Sequence, residues 1–145
     1  MIVHATPAQL ATWLGTDTPA NAASLLRSAS LLVDRALTGA MYATDATGKP
    51  TDAAVLTALA DATCAQADTW QALRIDPAKG AADDSVKPVT SKSIGSATIT
   101  YEKTATGAAS ASTDARARAA VTLSDNAAQI LAAAGLLTTR VWTYG

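Results

Sequence analysis

Few side chains in this chain of 145 residues are of the types that perform catalysis. It has one cysteine, Cys64, and one histidine, His4. A nucleophilic cysteine needs a nearby base and local positive charge, and the residues around Cys64 in the sequence supply neither. We therefore expect Cys64 to pack as a small apolar side chain. One cysteine and one histidine also argue against a zinc site.

The carboxylates and glycines give no stronger signal for chemistry. Asp83 and Asp84 form a pair, but they lie in a polar stretch with no apolar wall that would turn one of them into a general acid. Asp45 begins a segment with some likeness to a calcium loop, although the ligand spacing and the closing glutamate are missing. The glycines are scattered singly, so no phosphate-binding loop is present. The sequence predicts no enzyme, no metal site and no cofactor.

The composition limits how much apolar surface the chain can bury by itself. It has 36 Ala and 21 Thr but no Phe, and only 26 residues are Leu, Ile or Val. Because hydrophobic stabilisation scales with buried apolar area, a core built mostly of alanine is thin. Helices of this composition either pack very closely or gain further burial from neighbouring molecules. The net charge of −1 argues against a general nucleic-acid binder.

Helical periodicity and capping signals account for most of the chain. The signals for helix starts are a capping box of Thr6 with Gln9, and caps at Asp52 and Ser124. The signals for helix ends are Gly15, Gly135 and, for the longest helix, Pro77. In the first helix Leu10, Trp13 and Leu14 fall on one predicted buried face, and in the last Ile130 and Ala134 point inward. Residues 103–112 are rich in Ala, Ser and Thr and are predicted to form a flexible connection. The predicted helices cover about 7–14, 19–37, 52–75, 113–121 and 125–134.

The longest predicted helix has two different faces. Its main buried stripe contains Gln66, whose amide needs a hydrogen-bond partner if it is buried. The opposite side is smooth, so a second helix from this chain or from another could pack closely there. The small residues on that side are Ala53, Thr57, Ala60, Cys64 and Ala67.

A change to two-residue alternation predicts a β-hairpin at about 89–102, turning at Gly95 and Ser96. In that register Ile94, Ile99 and Tyr101 share a face with Lys92. An isolated hairpin is marginal in water, so this one must lie on the parent helices or on another chain. We predict that these four residues belong to a partner interface.

The C-terminal arm, residues 138–145, has no helical period and is unusually aromatic. Folding back on the parent helices and docking on a partner, for example by adding a strand to a sheet edge, are both open. Large amphipathic side chains near a chain end favour a binding role. The arm residues predicted to contact a partner are Arg140, Val141, Trp142 and Tyr144. The predicted fold is therefore mainly α: one domain over 1–145, a small helical bundle with an inserted hairpin and an extended arm.

Several segments taken in order resemble the head-to-tail adaptor proteins of long-tailed bacteriophages, particularly those of phages infecting actinobacteria. They are TPAQLATWLG at 6–15, ATCAQADTW at 62–70, SKSIGSATITY at 91–101, AAGLL at 133–137 and VWTYG at 141–145. The resemblance implies a non-enzymatic structural protein in the neck of the virion, assembled in the host cytoplasm. It implies a helical bundle with an inserted hairpin or long loop.

The resemblance also implies a set of partners. Family members form a ring under the portal protein, usually of about twelve copies, through self-contacts that close by rotation. The ring extends the channel for double-stranded DNA and receives the next neck component, a stopper or a tail terminator. Near-neutral charge suits a DNA conduit, because many tight phosphate contacts would impede passage. The alternative function is a small helical protein-interaction module in a cellular complex, with no ring.

Overall fold

The computed structural model describes residues 1–79, 91–94, 97–100 and 106–137, and it describes side chains in 1–79 and 114–137. The described residues form a mainly helical bundle, as predicted. The helices are α1 (Pro7–Leu14), α2 (Ala22–Ala36), α3 (Ala53–Ala72), α4 (Thr106–Val121) and α5 (Asp125–Ala133). Two short strands, β1 (Ser91–Ile94) and β2 (Ala97–Thr100), lie between α3 and α4 in the sequence.

α3 is the central helix, and α1, α2 and α5 pack around it. From Ala58 to Trp70 it is buried on nearly every side, which agrees with the small residues opposite its main buried stripe. Two apolar clusters form along it. The first joins α3 to α1 and the start of α2, and includes Leu10, Leu25, Leu26, Cys64 and Trp70. The second joins α3 to the end of α2 and to α5, and includes Val33, Leu37, Leu59, Leu131 and Leu136.

The capping signals at three helix starts are confirmed. Thr6 and Gln9 form a reciprocal capping box at the start of α1. The side chain of Asp52 accepts a hydrogen bond from the amide of Ala54. Ser124 accepts one from the amide of Ala127. Each cap satisfies an amide that has no acceptor inside its own helix, so the boundaries follow from local sequence.

Glycine ends α1 and α5 as predicted, but α3 ends earlier than the proline signal indicates. Its helical hydrogen bonds stop near Ala72, and Arg74 takes a left-handed φ of 52°. The amide of Ile75 then donates to the carbonyl of Trp70, and the amide of Arg74 donates to Gln71. This is the hydrogen-bond pattern that usually has glycine at the left-handed position. Arginine occupies that position here, and the buried side chain of the next residue, Ile75, holds the turn against the bundle.

The start of α4 and the exposure of Ala134 also differ from the prediction. α4 begins at Thr106, so most of the segment expected to be a flexible connection is helical. Alanine has the highest helix propensity of all residues, and three of the seven residues in 106–112 are alanine. In α5, Ala134 is exposed and not inward, because the helix has already ended at Ala133.

The two strands pair antiparallel, with Ile94 opposite Ala97 and Lys92 opposite Ile99. The residues predicted to form the turn between them lie outside the described residues. The fold that the described residues show is a helical bundle, and an inserted hairpin as one of its features remains a prediction.

Candidate partner interface

The predicted interface residues fall mostly in parts of the chain that the structure does not describe in full. Lys92, Ile94 and Ile99 lie on the paired strands, of which the backbone alone is described. Tyr101 and the four arm residues lie outside the described residues. These are Arg140, Val141, Trp142 and Tyr144. Their assignment to a partner interface therefore stays a prediction.

The small-residue side of α3 is covered largely by this chain itself. Ala60, Cys64 and Ala67 are buried, and all three belong to the cluster that α1 and α2 complete. The first-turn residues Ala53 and Thr57 remain exposed. The close packing expected for this surface is confirmed, but within the bundle the second helix comes from the same chain.

Cys64 packs inside the bundle, and its side chain is not a reactive thiolate. Its side chain is buried, and burial raises the pKa of the thiol to about 11, with a further contribution from the carboxylate of Asp61. The thiol is therefore protonated at neutral pH.

His4 has a different partner, which sequence spacing does not reveal. Its side chain is 5% exposed, and Nε2 lies 2.6 Å from Oδ1 of Asp34 on α2. The backbone amide of His4 donates to the hydroxyl of Ser30, one turn earlier on the same helix. Two bonds from one residue therefore fix the segment before α1 against α2.

The carboxylate of Asp45 is used inside a turn. Oδ1 accepts hydrogen bonds from the amide and the hydroxyl of Thr47 and from the amide of Lys49, at 2.6–3.0 Å. The hydroxyl of Thr47 is the largest of the causes that lower the pKa of Asp45. The segment that has some likeness to a calcium loop is thus a self-contained turn between α2 and α3.

A polar contact joins α3 to the junction between α4 and α5. Gln66 is fully buried; its Oε1 accepts from the amide of Ser124 at 2.7 Å, and its Nε2 donates to the carbonyl of Thr122 at 3.5 Å. One turn along α3, Nε1 of the buried Trp70 donates to the carbonyl of Ala119 at 2.8 Å. The partner that the sequence requires for Gln66 is therefore present, and it is backbone.

Trp13 is a surface feature that the sequence pattern misplaces. It was predicted to share the buried face of α1, but it is 38% exposed, whereas Leu10 is fully buried. α1 has two turns, and only the side that faces α2 and α3 is covered. The indole of Trp13 lines an open groove of about 460 Å³ between α1 and α3. Other residues along the groove are Gln9, Thr12, Ala60 and Asp61.

No protein-family model, curated protein or solved structure matches this chain. Within the described residues, none of the helices is both long enough and apolar enough to cross a membrane. The family resemblance carried by the sequence segments is therefore an expectation about function that rests on those segments.

Proposed function

We propose that this chain is a head-to-tail adaptor of a long-tailed bacteriophage. It forms a ring of identical copies under the portal protein, extends the DNA channel and receives the next neck component. The sequence segments that resemble this family support the proposal, together with the helical bundle that the described residues form. In this role the chain is a structural part of the virion and performs no catalysis.

The observation that carries the proposal is how little of residues 114–121, the second half of α4, is buried by the described bundle. In residues 114–121 the only buried side chain is Ala120, while Val121 is 59% exposed. The sixteen residues of α4 contain no other Val, and no Leu, Ile or aromatic residue. A helix without an apolar stripe is marginal in water by itself, because most helix stability in proteins comes from tertiary packing. A neighbouring copy in a ring would supply that packing.

The finer parts of the proposal concern the hairpin at about 89–102 and the arm at 138–145. Both are short segments that need an external surface for burial, and both carry aromatic or β-branched residues. In the proposal Lys92, Ile94, Ile99 and Tyr101 contact a neighbouring copy or the next ring. The arm docks on the portal through Trp142 and Tyr144.

The test mixes the purified chain with the portal protein encoded by the same genome and examines the mixture by negative-stain electron microscopy and mass photometry. We expect a ring seated on the portal. Truncation after Leu137 is expected to abolish portal binding while the far-UV circular dichroism stays helical. Thr143→Ala, a change in the same arm that keeps both aromatic residues, is the matched control and should bind normally.

Two results would contradict the proposal. A chain that stays monomeric at every concentration and never binds the portal would favour an interaction module of a cellular complex. Portal binding that survives removal of the arm would refute the role of the arm while leaving the ring in place.

A further inference from the structure

In residues 114–121, the part of α4 whose side chains are described, few side chains contact the bundle. Ala120 is buried and belongs to the first apolar cluster, and Ala119 packs against that cluster while partly buried. Asp114, Ala115 and Arg118 are exposed. Apolar contacts among alanines are small and without direction, so they would allow this helix to rotate or tilt against α3.

The hydrogen bonds at the base of α4 are, by contrast, directional. Oε1 of Gln66 accepts from the amide of Ser124, Nε2 of the same side chain reaches the carbonyl of Thr122, and Nε1 of Trp70 donates to the carbonyl of Ala119. These backbone groups lie on both sides of the junction between α4 and α5. The carbonyl of Ala119 lies in the last turn of α4 and has no donor inside that helix, so the indole of Trp70 supplies one. Gln66 pairs two backbone groups of the connection that follows α4.

A third contact lies one turn further out. A guanidinium nitrogen of Arg116 donates to the carbonyl of Arg74 at 3.1 Å, at the point where α3 ends. Along the side of α3 that faces α4, hydrogen bonds thus occur at Gln66, Trp70 and Arg74. This spacing is about one helical turn at each step, so the contacts form a line along the two elements.

We propose that Gln66 and Trp70 form a polar anchor that fixes the direction in which α4 leaves the bundle. With the anchor in place, α4 keeps one orientation relative to α3. Without it, α4 would swing about the α4–α5 junction. The inference concerns the isolated chain, so it stands or falls independently of the adaptor function.

The buried hydroxyl of Thr63 provides a matched comparison on the same helix. It is also fully buried, but it donates to the carbonyl of Leu59 in its own helix at 2.8 Å. Thr63→Val therefore removes a buried polar group of α3 without touching α4. Gln66→Met keeps a side chain of similar length in the core and removes both bonds to the junction.

Pulsed electron–electron double resonance, which measures the distance between two spin labels, can test the anchor. The labels are attached at Ser24→Cys on α2 and Ala115→Cys on α4 in a Cys64→Ala background. Both label positions are exposed. We expect one narrow distance distribution for the parent chain and for Thr63→Val. For Gln66→Met we expect the distribution to widen at least about twofold, because the junction opens to water once its backbone groups are unpaired. Trp70→Phe, which removes the indole donor together with part of the ring, should widen it as well.

Hydrogen exchange of the unmodified chain provides a test that needs no variant. The amide of Ser124 precedes α5 and would exchange freely without Gln66. We expect it to exchange at least about 100-fold more slowly than the first-turn amide of Asp125. Equal exchange rates for these two amides would overturn the proposal. So would a distribution that stays narrow in Gln66→Met and Trp70→Phe, or one that widens equally in Thr63→Val.

Discussion

Replacing Trp70 with Phe isolates the contribution of one buried indole to the stability of the bundle. Trp70 is fully buried, and its Nε1 donates to the carbonyl of Ala119 at 2.8 Å. Loss of that bond removes about 1 kcal/mol of net stability. The smaller ring leaves roughly 40 Å³ unfilled, which costs about 1 kcal/mol more. We therefore expect Trp70→Phe to lower the free energy of unfolding by about 2 kcal/mol.

Urea unfolding followed by far-UV circular dichroism measures this change without relying on tryptophan fluorescence. For a domain of this size, about 2 kcal/mol shifts the unfolding midpoint by about 1 M urea. Trp13→Phe is the matched control. It is the same chemical change at a side chain that is 38% exposed and lies at a surface groove. It should cost less than about 0.5 kcal/mol. Equal losses for the two variants would refute the assignment of Trp70 to the core.

Three further changes test other parts of the description. Burial raises the pKa of Cys64 from 9.0 to about 11. Its protonated form therefore contributes stability that is full below pH 9 and lost as the pH rises towards 11. Over that range the parent chain should lose up to about 2–3 kcal/mol more than Cys64→Ala in urea titrations, and parallel curves would contradict this. Arg74→Gly should raise the free energy of unfolding by about 0.5–1 kcal/mol, because glycine adopts the left-handed φ of 52° without strain. A lower melting temperature for this variant would show instead that the Arg74 side chain has a packing role. Ile99→Asp is expected to abolish ring assembly on the portal, as seen by electron microscopy. Thr98→Asp, on the other predicted face of the hairpin, should be tolerated. Intact rings in Ile99→Asp would show that the hairpin is not part of the interface.

Local signals predicted the start and end of several helices because each depends on a few neighbouring residues. The Thr6 capping box and the glycine after α5 belong to this class. The sequence also predicts that a second helix can pack on the side of α3 opposite its main buried stripe, since that side carries small residues. The requirement that Gln66 find a partner was predictable, but the identity of that partner was not, because it lies 58 residues away in the chain.

The features that sequence reasoning missed depend on tertiary context. Trp13 sits on the apolar stripe of α1, yet nothing in a two-turn helix says how much of that stripe its neighbours will cover. The pairing of His4 with Asp34 joins residues 30 positions apart and has no periodic signal. Arg74 takes a conformation that glycine usually takes, so its turn could not be read from composition.

The candidate interface is a prediction from the sequence, a list of residues for which the predicted bundle offers no assigned packing. For α4 the structure adds an exposed surface and the hydrogen bonds at its base. For the hairpin it adds a backbone pairing of Lys92 with Ile99 and of Ile94 with Ala97. The aromatic residues of the arm, Trp142 and Tyr144, stay a prediction.

Cryo-electron microscopy of the assembled neck, at a resolution that shows side chains, tests most directly whether this chain completes its burial on other molecules. We expect the exposed side of α4, including Val121, to pack against an adjacent copy of the chain, and the arm to lie on the portal. A neck in which α4 faces solvent and the arm packs on its own helices would contradict the account.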